Sequence, residues 1–277
     1  MPPDEEERQQ RLLELLLALA LASEKRIARE LREEFLRSVR SLRRLVQRMS
    51  PDGAFRAVEW NTLRREVPDI ISPLISDMAV KIVPELKTLA EPVQELAQDY
   101  AELENTPVAE PDDIFLLTTT LIAGVPLLKM LGLNGDMTNS LSKYLDRIVD
   151  VGLLRGDSTA KIANDVLALG TRNGKVVPRI ATGSFASKAS AQIKNTVASS
   201  VWSGINNNLI TAWRPVNNVQ WRWNAQLDVR LCSICRPLAG KIVPKPTSFV
   251  STSYGVRQPP VHPNCRCVIL PTLTNRQ

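Results

Sequence analysis

Every cysteine of this chain (Cys232, Cys235, Cys265 and Cys267) and its single histidine, His262, fall between positions 232 and 267, and residues 1–231 contain neither type. The stretch that holds them also carries Pro237, Pro244, Pro246, Pro259, Pro260, Pro263 and Pro271, which leaves little room for helix. A loop-rich segment of this kind buries few apolar side chains, so it needs another cross-link to hold its shape. The spacing supplies one. Cys232-Ser-Ile-Cys235 is a tight knuckle that turns two thiolates toward one point, and His262-Pro-Asn-Cys265-Arg-Cys267 offers a second group of donors. A structural zinc ion is the favoured reading, with five donors for four positions. In an extended segment Cys265 and Cys267 would point to opposite faces, so the expected ligand set is Cys232, Cys235, His262 and one of that pair. Two other readings stay open: disulfides formed after the chain leaves a reducing cytosol, and thiols held by packing and hydrogen bonds alone. Redox catalysis by the Cys-x-x-Cys pair lacks a surrounding βαβ context, and a closed cysteine-rich site leaves no open position for catalysis by the metal.

The sequence before this module reads as helix. Between Pro3 and Pro51 there is neither proline nor glycine, and Leu31, Phe35, Val39, Leu42, Val46 and Met49 form a seam at spacings of three and four. Arg37, Arg40, Arg43, Arg44 and Arg48 are distributed around that seam. They suit either a basic arm lying on DNA or an acidic partner, or the solvated face of a packed helix. Ser50-Pro51-Asp52-Gly53 then has the chemistry of a stop. Pro68, Pro73 and Pro84 are expected to divide the next region into short helices, with another over 86–103. Residues 105–113 read as a linker. The apolar run from Ile114 to Leu133 contains Gly124, Pro126 and Lys129 and reads as a buried helix pair or a kinked helix rather than a membrane span.

Beyond residue 138 the pattern predicts a helix with Leu141, Leu145, Ile148 and Val149 on one face. A second helix is expected from Thr159 to Leu169, capped by Ser158 and closed by Gly170. A basic, turn-rich stretch follows over 172–179. Then comes a long helix over 186–212 whose stripe is Ile193, Val197, Val201, Ile205 and Leu209. Val219-Gln-Trp-Arg-Trp223 alternates as a strand does, and Val268-Ile-Leu270 reads as a short closing strand. The fold class expected is mainly α, with long helices followed by a small α+β C-terminal module closed by the Cys/His cluster. The divisions are a basic helical arm over 1–50, a helical region with proline-rich boundaries over 51–112, a helical core over 113–212 and the β-containing module over 213–277.

The residues around the cysteines resemble a known family. Trp223-Asn-Ala-Gln-Leu-Asp228-Val-Arg230-Leu-Cys232-Ser-Ile-Cys235-Arg-Pro-Leu-Ala-Gly240 and Pro259-Pro260-Val-His262-Pro-Asn-Cys265-Arg-Cys267 are similar to the C-terminal signature of the Mu F-like phage head morphogenesis family. Gly152 to Ala163 resembles that family's helix start, so the likeness covers about residues 138–271. Arg179-Ile-Ala-Thr departs from the helix-borne Ala-Arg-Thr-Glu expected at that point. The resemblance implies a structural minor head protein of a tailed phage, present in several copies per virion. It would sit inside the head near the portal, contact portal or major capsid protein and assist assembly, packaging or delivery of the genome. Asp228 and Arg230 would brace the first knuckle from outside it.

Other chemistry is not encoded in any recognisable pattern. With one histidine, already among the donors, hydrolase triads have little material, and Gly170-Thr-Arg-Asn-Gly174-Lys175 lacks the spacing of a phosphate loop. The expectation is therefore no enzymatic activity. Trp213, Trp221 and Trp223 are better read as the module's core than as a stacking platform for single strands. The net charge of +6 favours acidic partners, so sequence-independent DNA binding through the N-terminal arginines is the alternative function, with packaged genomic DNA as the partner. The acidic start, Asp4 to Glu7, does not read as a secretory leader, and synthesis in the host cytoplasm is expected.

Overall fold

A computed structural model describes residues 3–48, 57–103, 136–166, 169–172, 175–180, 184–225, 232–246, 248–249, 258–261 and 265–273. Its elements in chain order are α1 (Pro3–Gln47), α2 (Ala57–Leu63), α3 (Val67–Leu103), α4 (Asp136–Leu154), α5 (Thr159–Val166), β1 (Leu169–Arg172), β2 (Lys175–Ile180), α6 (Phe185–Ala212), β3 (Val219–Asn224), β4 (Ile242–Val243) and β5 (Val268–Leu273). Long helices and one small C-terminal sheet make the chain mainly α, as its periodicity predicts. The linker at 105–113, the apolar run at 114–133 and the turn at 50–53 lie outside the described residues.

Two compact units divide the chain, the first drawn from residues 1–27, 82–127 and 195–277 and the second from 28–81 and 128–194. The first is organised around the last half of α6. Val201, Trp202, Ile205, Leu209 and Trp213 are all buried there, and so are the residues on the flanks between them, so that half of the helix is enclosed on nearly every side. The start of α1 contributes Leu12, Leu16, Ala20 and Ile27, and the end of α3 contributes Ile82, Leu86, Leu89, Val93 and Ala97. Specific contacts fix this packing. The Trp202 indole donates to Glu24 at 2.8 Å, Tyr100 and Trp213 lie 5.6 Å apart between ring centres, and a Cβ on Gly204 would meet Leu86 at 3.2 Å.

The sheet of this unit has the order β4-β3-β5 and is antiparallel, with Trp221 opposite Pro271 and Trp223 opposite Ile269. Alternation along β3 turns Trp221 and Trp223 inward, and both are buried. With Trp213 also buried, the three tryptophans are core residues. Trp223 packs edge-on against Phe249 at 5.1 Å. Pro271 is tolerated because β5 is an edge strand, and its carbonyl accepts a bond from the buried Gln9 amide of α1 at 3.2 Å.

The second unit buries the seam of α1 (Leu31, Phe35, Val39, Leu42 and Val46) with Trp60, Val67, Ile71 and Leu74, and with Leu141, Leu145 and Val149 of α4. The Gly156 conformation (φ 68°) and the bonds Asp157 N to Gly152 O and Gly156 N to Leu153 O close α4 in a Schellman turn. Ser158 then caps α5, its hydroxyl accepting the Lys161 amide at 3.3 Å, and an ion pair joins Lys161 to Asp157.

Three expectations change here. Pro73 and Pro84 do not end helices, since both lie inside the continuous α3. Each sits on the exposed face, and the carbonyls each proline leaves without a partner, at Asp69 and Val80, belong to exposed residues that water can serve. The helix begun at Thr159 stops at Val166 rather than Leu169. Residues 169–172 and 175–180, read as helix end and turn-rich loop, pair instead as an antiparallel hairpin with Arg172 opposite Lys175. The signal passed over is Asn173-Gly174 between two β-capable segments, the dipeptide most favoured for a two-residue hairpin connection.

Candidate metal centre

The first knuckle grows out of β3. Arg236 N–H donates to the Cys232 carbonyl at 3.0 Å, and Cys235 N–H donates to the Cys232 sulfur at 3.2 Å. A single turn of 3-10 helix, Arg236–Leu238, follows. Gly240 then takes φ 76°, a conformation that disfavours any side chain, which explains the glycine five residues after the second cysteine. Its amide donates to Trp223 O at 2.8 Å, and Trp223 N–H donates to Lys241 O at 2.9 Å, so the knuckle is tied back to the strand it left.

Cys265 and Cys267 reach the same point from the start of β5, which pairs with the end of β3 (Val268 opposite Asn224), so both knuckles lie at one end of the sheet. The sulfurs of Cys235, Cys265 and Cys267 all lie within 4.8 Å of one another, and each residue is no more than 3% exposed. Cys235 and Cys265 are 3.8 Å apart, sulfur to sulfur, and none of the four cysteines forms a disulfide. A zinc–sulfur bond of about 2.3 Å gives a tetrahedron with an edge of about 3.8 Å, whereas a disulfide would need about 2.05 Å. Cys265 and Cys267 thus converge instead of pointing to opposite faces. The alternation argument fails because β5 begins only at Val268, so the two cysteines precede regular strand geometry.

Electrostatics make the cluster a place for a cation. S–H groups of Cys235 and Cys267 donate to Cys265 and hold its thiol well below the usual range, at about 2. Cys235 is pushed up by the bonds it gives to Cys265 and Cys267 and by burial. Cys267 is pulled down by Cys235, but its bond to Cys265 and its burial outweigh this and raise it to about 12. Three buried sulfurs this close oppose one another's ionisation, and a divalent ion would let all three ionise. Trp223 points the same way. Its buried indole nitrogen has no nitrogen or oxygen acceptor among the described residues, and it lies against Cys267, where it favours the thiolate. The donor set fits a soft, tetrahedral cation.

Cys232 is half-buried and stands outside the group of three sulfurs. His262, Asp228 and Arg230 lie outside the described residues. Arg37, Arg40 and Arg44 are exposed on α1 and Arg48 is exposed just after it, Arg37 paired with Glu34 at 2.7 Å and Arg48 with Glu66 at 2.7 Å. Arg43 is half-buried and donates to Asn164 at 3.0 Å. Residues that the sequence reading passed over are Asn206 and Asn207 of α6, which hydrogen-bond to the chain on either side of Cys265–Cys267. The one sequence signal for them is an Asn-Asn-Asn run, poor in helix propensity, inside an apolar helix.

These features define a class: a helical protein whose small terminal sheet is closed by a buried cysteine knuckle. Residues 145–270 match the family described as Phage Mu protein F like protein, and over this segment the chain is similar to that family. Comparison with curated proteins and with solved structures gave no match. Among the described residues no helix is long and apolar enough to cross a membrane.

Proposed function

We propose that this protein is a structural minor head protein of a tailed phage, carried in several copies in the head interior near the portal. There it contacts portal or major capsid protein and aids assembly, packaging or delivery of the genome. It performs no catalysis. The observation that carries this reading is the Mu F-like match over 145–270, which ends beside the cysteine cluster. A zinc ion held by Cys235, Cys265 and Cys267, with Cys232 or His262 at the fourth corner, closes the module as a structural staple. Zinc is redox-inert and, when fully coordinated by protein, supplies cross-linking rather than reactivity. Deleting the gene tests the head assignment: particles should fall in yield or infectivity, and unchanged yield, composition and infectivity would refute it.

A second reading has its own support. From Arg37 to Arg48 the chain has five arginines and no acid, and Arg37, Arg40 and Arg44 follow one face of α1 at spacings of three and four, with Arg48 four residues on, just past its end. That face suits the phosphates of packaged duplex DNA. Four such contacts would give a slope of about −3.6 for log affinity against log salt. Binding that is flat in salt, or absent, removes this reading.

A further inference from the structure

Asn206 is fully buried in the middle of α6, where an apolar residue would serve the helix better. Its hydrogen-bonding capacity is used elsewhere. Nδ2 donates to Trp202 O at 2.7 Å and to Cys267 O at 3.1 Å, and Oδ1 accepts the Ile269 amide at 2.9 Å. The carbonyl of residue 267 and the amide of residue 269 face the same edge of β5, the edge opposite β3. One side-chain amide therefore takes the place of a neighbouring strand, and it does so at a cysteine of the cluster. Asn207 acts on the other flank. Its Oδ1 accepts the Gln258 amide at 3.0 Å, just ahead of the segment that leads to Cys265, and its own Nδ2 is steadied by Ser203 at 3.4 Å.

We infer that Asn206 and Asn207 are positioning residues of the metal centre, gripping both flanks of Cys265–Cys267 so that two of its three sulfurs are set by helix α6. The inference rests on the metal reading above and adds to it how the second knuckle is aimed. The first knuckle is shaped by its own turn and by β3, whereas the second is not built by local bonds alone. Outer groups that orient metal ligands typically change affinity by about 10–100-fold when removed.

The test uses the full-length protein with zinc and, in parallel, cobalt(II) as a spectroscopic probe. In Asn206→Ala zinc affinity, measured by chelator competition, should fall by about 10–100-fold, with altered thiolate-to-cobalt absorption bands. Asn207→Ala, half-buried and milder, should shift both in the same direction. Leu16→Ala, buried in the same unit on α1, serves as a matched destabilised control and should leave both unchanged. Folded Asn206→Ala with wild-type affinity and cobalt spectrum overturns the inference. If that variant fails to fold, Asn207→Ala with wild-type affinity and metal release rate overturns it instead. A wild-type protein that takes up neither metal overturns the inference together with the metal reading, and this is distinct from a wild type that binds and variants that bind equally well.

Discussion

Cys235 shows most directly what a single side chain does here, because it belongs to the first knuckle and touches both sulfurs of the second. Replacing it with serine should reduce bound zinc, by elemental analysis, from about one per chain to none. At free zinc near 1,000 times the dissociation constant, losing the metal should also cost about 4 kcal/mol of stability. Asp146 behaves differently. Burial raises its carboxyl above the usual range, and the neighbouring Asp150 adds to this, while Arg64 and the Trp60 indole only partly oppose it. A raised folded-state pKa means its favourable contribution is complete below about pH 3.8 and is lost as pH rises through the folded value. Asp146→Asn should therefore be as stable as wild type or more so at pH 7, with the difference vanishing below about pH 4, as read by chemical denaturation across that range. Neither effect could be read from sequence, which shows the acid and the cysteines but not what surrounds them.

At the scale of elements, periodicity was the reliable guide. The stripe Ile193, Val197, Val201, Ile205 and Leu209 is buried throughout α6, and four-residue spacing alone puts those side chains on one face. Local rules went astray where tertiary context outweighed them. Pro73 and Pro84 were tolerated inside α3 because the carbonyls they orphan face water. The hairpin β1–β2 was missed because glycine and basic residues were read as loop signals. Close approach between elements is likewise invisible in sequence. Gly152 of α4 lies so near Ile162 of α5 that an added Cβ would meet its Cγ1 at 2.5 Å. Gly152→Ala should destabilise by about 1–3 kcal/mol. Adding Ile162→Ala should cost less than the sum of the two single changes, a coupling that a double-mutant cycle in urea would measure.

For the molecule as a whole, the family match begins at residue 145, yet the sheet it includes is completed by helices that precede it. Gln9 caps β5, Glu24 accepts the Trp202 indole, and Tyr100 meets Trp213. A fragment of residues 145–277 should accordingly lack cooperative unfolding and bind hydrophobic dyes, whereas the full chain should give one sharp near-ultraviolet signature from its buried tryptophans. What the sequence determined by itself was local: helix stripes, the strand alternation of Trp221 and Trp223, the glycine after the first knuckle, and the donor spacing. Each of these depends on residues a few positions apart. Only the tertiary structure decided that Cys265 and Cys267 both turn toward Cys235, because that convergence depends on β3 pairing with β5 and on Asn206 binding chain 61 and 63 residues away. Contacts at that separation are set by the packing of the whole core, and no local spacing encodes them.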